Sequence, residues 1–436
     1  MRLRHLIAAT GLMAAPASAS PLSDAIKSDY DKSLAALFSD FHRNPELSFV
    51  ETRTAKIMAQ QLRAAGATVT EGVGGTGVVG FMKNGNGPVV LLRADMDGLP
   101  LKEASGLTYA SSVRQKDVNG VEQPVMHACG HDVHITSLVG TARRLAAMKD
   151  QWTGTVVFIV QPAEERVGGA KKMLDDGLYT RFPKPDYAVA FHVSSEYPTG
   201  TIGAEPGITA SSSDSIDIVI QGVATHGASP HKGKDPIVMG AELVMALQTL
   251  VSREIAPLQP AVVTVGAFHS GFKHNIISDK AELQLTIRTD DEDVRKSLLD
   301  GIRRIAANVG RMNGLPEDKL PTVKVVESTP VTVNDAALAQ RVKPVFQRAF
   351  GEQAVIAPVR TGMGAEDFAE FVQPRLGVPG LYFWVGGTPP AALEAAKNGG
   401  PPVPAHHSPL FKIDPEPSIR MGTEAMTLAA LELLKK

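Results

Sequence analysis

The stretch "MHACGHDVH", Met126 to His134, gathers three histidines, the chain's single cysteine and an aspartate, in a protein that has twelve histidines in 436 residues. Cys129 and His131 are two apart across a glycine, close enough for both side chains to face one ion. Thiolate with imidazole suits zinc and similar divalent transition metals, and nearby carboxylates widen the choice to manganese or cobalt. Glu164 and Glu165 follow the apolar run "VVFIVQP". Adjacent residues there point in different directions, so one carboxylate can hold a metal while the other faces substrate. That division suits metal-assisted hydrolysis, in which a metal acidifies water and a carboxylate takes the proton and passes it on. His192 ends another apolar run, and His406 or His407 offers a further imidazole from a Pro-rich loop. Each residue also has a plainer reading: Cys129 as a small core hydrophobe, the glutamates as a solvated pair, His192 as a core histidine, His406 and His407 as surface. The company Cys129 keeps is what argues for chemistry.

Such residues need elements to position them. Helical spacing dominates from Ala25 to about Ala65, followed by strand-like runs at 77–83 and 87–97, the latter ending in Asp95 and Asp97. "HITSLVGTARRLAAM" has the period of a helix with one apolar face, and apolar runs at 154–165 and 185–193 again end in polar residues. Strands alternating with helices predict an α/β domain with a mostly parallel sheet, whose ligand site lies beyond the carboxyl ends of its strands.

From about residue 209 the pattern changes. "SIDIVIQG" alternates as a strand, Asp235 and Pro236 read as the N-cap and first residue of a helix, and "AVVTVGAF" and "AELQLTIRT" read as two strands. "DDEDVRKSLLDGIRRIAANVG" reads as a helix with acids in its first turn, and "TVKVVES" as a last strand. The order βαββαβ predicts a ferredoxin-like unit at 209–327, inserted between the two parts of the α/β domain at 20–208 and 328–436. The Pro- and Gly-rich segment 386–411 reads as an exposed loop.

A net charge of −2 from 44 basic and 46 acidic residues argues against a nucleic-acid partner. The opening 19 residues have a basic start, a short apolar run and Ala17-Ser18-Ala19, the form of a secretory signal peptide cut after Ala19. The expectation is a secreted or periplasmic protein. One cysteine cannot form a disulfide within the chain, so Cys129 needs another role.

The motifs "FHRNPELSFVE", "LRADMDGLP", "MHACGHDVH", "QPAEE", "ATHGASPHKGKDPI", "HNIISDKAEL", "MGAEDFA" and "HHSPLF", in that order, resemble the M20 metallopeptidase family, and in particular its amidohydrolase branch. That branch includes hippurate hydrolases, N-acyl-amino-acid amidohydrolases and plant auxin-conjugate hydrolases. The resemblance implies a metallo-exopeptidase-type catalytic domain and a site for two divalent ions (zinc, manganese, cobalt or nickel) held by Cys129, His131, Glu165, His192 and His407. His407 is preferred to His406 because it directly precedes "SP". The resemblance also implies Glu164 as general base, and Asp95 and Asp97 as supporting residues. His226 would reach across a dimer formed by the inserted lid to polarise the scissile carbonyl, and Asn275 and Arg288 would grip the substrate's carboxylate. Ser278 stands where the family usually has proline, and Gly227 follows His226 where alanine is commoner. The expected activity is cleavage of an N-acyl-amino acid. A carboxypeptidase or dipeptidase is the nearest alternative, and a non-catalytic metal- or peptide-binding protein is disfavoured by the intact Glu164.

Overall fold

Val90, Leu91 and Leu92 are all buried, although successive strand side chains point to opposite faces, so this run must lie inside a sheet covered on both sides. The structure, a computed structural model, describes residues 20–435. The expected signal peptide, residues 1–19, lies outside the described residues. Helices α1 (Pro21–Asp29), α2 (Ala35–Arg43) and α3 (Thr52–Ala64) precede strands β1 (Thr68–Val73), β2 (Gly77–Asn84) and β3 (Val89–Asp95). Then come α4 (His131–Ala147), β4 (Gly154–Gln161), β5 (Tyr187–Pro198) and the short β6 (Ile202–Gly203). The middle segment holds β7 (Ser212–Gln221), α5 (Pro236–Thr249), β8 (Ala261–Ser270), β9 (Lys280–Thr289), α6 (Glu292–Met312) and β10 (Thr322–Thr329). Helix α7 (Ala336–Phe350), β11 (Gly380–Thr388), α8 (Pro390–Lys397) and α9 (Pro415–Leu433) follow.

The large sheet has the order β1-β2-β4-β3-β5-β11-β6. Its middle four strands are parallel, whereas β1, β2 and β6 pair antiparallel. The sheet is therefore mixed, a correction to the mostly parallel expectation, because only the buried middle requires crossover connections. Val90, Leu92, Phe158 and Phe191 pack on one face with Leu34, Phe38, Met58, Leu138 and Met426. Leu91, Val157 and Ala190 pack on the other with Met173 and Phe371. Register puts Asp95 beside Gln161 and His192 beside Trp384, at the end of the sheet where the site lies.

In the middle segment, four antiparallel strands in the order β8-β9-β7-β10 carry two helices on one face. The alternation of β9 explains the layering. Ala281, Leu283, Leu285 and Ile287 pack with Leu243 and Leu247 of α5 and Leu298 and Ile302 of α6, while Lys280, Glu282 and Gln284 face outward. Asp235 caps α5 through Ile237 N at 2.9 Å, and Asp291 caps α6 through Asp293 N and Val294 N at 2.8 and 2.9 Å.

Two other expectations need correction. Helix does not persist from Ala25 to Ala65: the chain leaves it after Arg43 and re-enters at Thr52, because the Pro-containing stretch between cannot continue the ladder. Segment 386–411 is not one loop, since its first residues end β11 and "PAALEAAK" forms α8. Among the described residues no helix is long and apolar enough to cross a membrane.

Candidate active site

Asp95 ends β3, Glu164 and Glu165 follow β4, and His192 lies on β5, so neighbouring strands deliver their polar residues to one end of the sheet. Cys129 and His131 enter from the turn that starts α4. Gly130 in that turn has φ 90°, and a Cβ on it would lie 2.4 Å from Val193 Cγ1, so the turn requires glycine on both counts. The C-terminal loop is pinned alongside by the His407 N–H, which donates to Ala128 O at 2.8 Å.

Hydrogen bonds orient both buried imidazoles. His131 donates from Nδ1 to Asp97 O at 2.9 Å, and His192 donates from Nδ1 to Val193 O at 2.6 Å. A carbonyl can only accept, so each ring carries a proton on Nδ1 and turns its Nε2 inward. His192 Nε2 lies 3.4 Å from Cys129 Sγ. His131 Nε2 faces Glu164 Oε2 at 3.8 Å and Glu165 Oε1 at 3.9 Å, and His407 Nε2 lies 3.4 Å from Glu165 Oε2. Of the five groups among the described residues whose ligand atoms lie within 4.8 Å of one another, three unite expected site residues: Cys129, His131 and His192; Cys129, Glu165 and His407; and His131, Glu164 and Glu165. All the expected metal ligands and Glu164 thus meet.

Asp95 also approaches His131 and His134, but its oxygens are already engaged. Oδ1 accepts from His134 at 2.6 Å and Oδ2 from Arg93 at 2.6 Å. Asp97 likewise accepts the N–H groups of Glu164 and Glu165 at 3.1 Å each and the Ser48 hydroxyl at 2.6 Å. Both aspartates brace the cluster.

The centre is largely buried and crowded with acids. Burial, then the neighbouring Glu366 and Glu165, hold the Glu164 carboxyl well above the usual carboxylate range. Burial pushes Glu165 up to about 8 against the pull of His131, and raises the Cys129 thiol as well. Burial and then repulsion from His134 and His406 drive the His192 imidazolium pKa well down. Burial lowers the His131 pKa, but Asp95 and then the hydrogen bond to Asp97 outweigh it and raise the value to about 10; acids packed this closely form an arrangement that a cation would relieve. His131 Nε2 and Glu165 Oε1 are buried without a hydrogen-bond partner, as ligand atoms would be.

The cluster opens into a cavity of 580 Å³ lined also by Tyr197, Trp384, Val359, Met363 and Arg288. Arg288 is on this wall as expected, held by Thr286 Oγ1 at 3.2 Å. His226 and Asn275 are not. They lie outside the cavity in the middle segment, where His226 Nδ1 accepts the Ala228 N–H at 3.0 Å and so leaves Nε2–H as an exposed donor. Gly227 packs against Asn275, whose backbone would lie 3.1 Å from a Cβ there, which gives a steric reason for glycine after His226.

Several neighbours were missed from sequence. Arg93 is fully buried and spans Asp95, Glu366 at 2.7 Å and Asp367 at 3.3 Å; unpaired, such a charge would cost several kcal/mol. Tyr382 donates to Glu366 at 2.5 Å. The cationic residue inside the apolar run "VVLLRAD" was the available signal.

This site, on this sheet, belongs to a metal-ligating hydrolase class, and the comparisons agree. Residues 91–399 match peptidase family M20/M25/M40, and the chain belongs to that family. It is 37% identical over 400 residues to thermostable carboxypeptidase 2 of Saccharolobus solfataricus, covering 91% of this chain and 94% of the relative. It is 39% identical over 333 residues to the hippurate hydrolase of Campylobacter jejuni, covering 76% and 83%. The Bacillus subtilis YXEP protein, described as a dinuclear metal-binding peptidase of the M20 family, superposes with a TM-score of 0.73 at 28% identity over 93% of this chain and 99% of that one.

Proposed function

We propose that the protein is a metal-dependent amidohydrolase that frees an amino acid from an N-acyl group. The observation that carries this reading is the pair of inward-facing Nε2 atoms of His131 and His192, converging with Cys129, Glu165 and His407 beside Glu164 at the base of the 580 Å³ cavity. The donor set fits two divalent ions, with Cys129, His131, Glu165, His192 and His407 as ligands; thiolate and imidazole suit zinc, while the carboxylate admits manganese, cobalt or nickel. When bound, such ions would acidify water and polarise the scissile carbonyl. Glu164 would accept the water's proton and hand it to the departing amine. Arg288 would pair with the carboxylate of the substrate, and Trp384, Tyr197 and Val359 offer apolar surface to its acyl group.

The middle segment would act as a ferredoxin-like lid and dimerisation domain. Its edge strand β8 exposes Phe268, and Ile237, Val238 and Met245 of α5 are exposed. Such an edge favours pairing with a second copy, which would carry His226 Nε2–H and Asn275 to the partner's cavity. The N-terminal sequence supports export and removal of residues 1–19. Likeness to a carboxypeptidase favours a second reading, cleavage of a peptide at its C-terminus by the same residues. Purified metal-loaded protein given N-acetyl, N-benzoyl and indole-acetyl amino acids beside dipeptides and longer peptides tests both. Turnover of the acyl conjugates supports the first reading; turnover of peptides alone replaces it with the second.

A further inference from the structure

Glu51 is fully buried at the start of α3 yet does not cap that helix. Its Oε1 accepts the N–H of Phe49 at 2.9 Å and, across 112 residues, the N–H of Ala163 at 2.8 Å; its Oε2 accepts the Thr76 hydroxyl. Ala163 is the residue before Glu164. It is left-handed, with φ 50°, and Val167 closes the same turn at φ 42°. Neither is glycine, and valine's branched side chain makes this region particularly unfavourable.

A left-handed residue followed by a helical one turns successive N–H groups toward a common point, a concavity that binds anions. Here two side-chain carboxylates fill it. Glu51 takes the N–H of Ala163, and Asp97 takes those of Glu164 and Glu165 at 3.1 Å each. With their N–H groups held on this side, Glu164 and Glu165 project their carboxylates toward His131.

We propose that Glu51 is a positioning residue, holding the turn 162–167 in the conformation that presents Glu164 and Glu165 to the site, through its hydrogen bonds to the N–H groups of Phe49 and Ala163 and to the Thr76 hydroxyl. The inference rests on the proposed reading only for the names of the groups positioned.

The test compares Glu51→Gln with Glu51→Ala. Glutamine keeps an oxygen for both N–H groups and can donate its amide to Thr76; alanine removes all three bonds. Amide hydrogen exchange at Ala163, in metal-free full-length protein, should quicken at least tenfold in the alanine variant and stay near wild type in the glutamine variant. Zinc affinity and kcat should fall about 10- to 100-fold for alanine, with KM little changed, and by less than about threefold for glutamine. Unchanged exchange and zinc affinity in Glu51→Ala, or a glutamine variant as impaired as alanine, would overturn the proposal. Should Glu51→Ala not fold, Glu51→Asp, withdrawn by one methylene, takes its place with the same expectation. Exchange and zinc binding need no substrate, so lack of turnover by the wild type would defeat the amidohydrolase reading and leave this result standing.

Discussion

The Nε2 of His192 lies 3.4 Å from the sulfur of Cys129, 63 residues earlier in the chain. Metal coordination at this pair should shield the thiol. Alkylation of Cys129 is expected to be slow in metal-loaded protein and to accelerate after chelation. The check is mass spectrometry of labelled protein over time, and equal rates in the two samples would argue against ligation.

Glu164→Gln keeps the shape of the side chain and removes its proton acceptor. Turnover should fall on the order of 10²–10⁴-fold while the ions bound per chain stay unchanged. Near-normal kcat in a fully loaded variant would take Glu164 out of the mechanism.

His226 lies outside the cavity formed by its own chain, with Nε2–H exposed. If it serves a partner's site, loss of this donor to the developing oxyanion should cost about 10²–10³ in rate. Co-refolded His226→Ala and Glu164→Gln chains should then recover up to about half of the wild-type activity per heterodimer, since one site of two is whole. Verified heterodimers without recovery would confine His226 to its own chain or to no catalytic role.

His42 sits between Asp132 at 2.7 Å and Glu103 at 3.1 Å. Burial pulls its pKa down, but the hydrogen bonds to Asp132 and then Glu103 outweigh it and push the value up to about 9, from an ordinary 6.5. A histidine with a raised folded pKa stabilises fully below its unfolded pKa and loses that contribution as pH rises through the folded one. The stability advantage of wild type over His42→Gln should shrink between about pH 6.5 and 9, by on the order of 3 kcal/mol at 1.36 per unit. Denaturant melts at several pH values measure it, and a constant difference across that range would refute the assignment.

The ligands were legible because their chemistry is local in sequence: Cys129 and His131 share one turn, and Glu164 and Glu165 follow an apolar run. The strands at 77–84 and 154–161 were legible for a similar reason, as continuous apolar runs bounded by turn residues. Helix α5 declared its start through Asp235 and Pro236, and α6 through the acids of its first turn. What could not be read depends on pairing across long separations. Strand β1 has the exposed, weakly apolar pattern of an edge, and β11 was overlooked because "GLYFWVGGT" opens on glycine and carries Gly386 and Gly387 near its end. Glu51 closes the motif "FHRNPELSFVE" with no local sign of a role, since its partner Ala163 lies 112 residues away.

The chain's two tryptophans are placed very differently. Trp152 is fully buried near the start of β4 and donates to Leu145 O at 2.9 Å, whereas Trp384 lines the cavity with its ring 5.4 Å from that of His192. The molecule therefore carries its own optical probe. In a Trp152→Phe background, tryptophan emission comes from the cavity alone, so quenching by a paramagnetic ion such as cobalt would time metal entry, and a change in that emission would time ligand arrival, without a label or a chromogenic substrate.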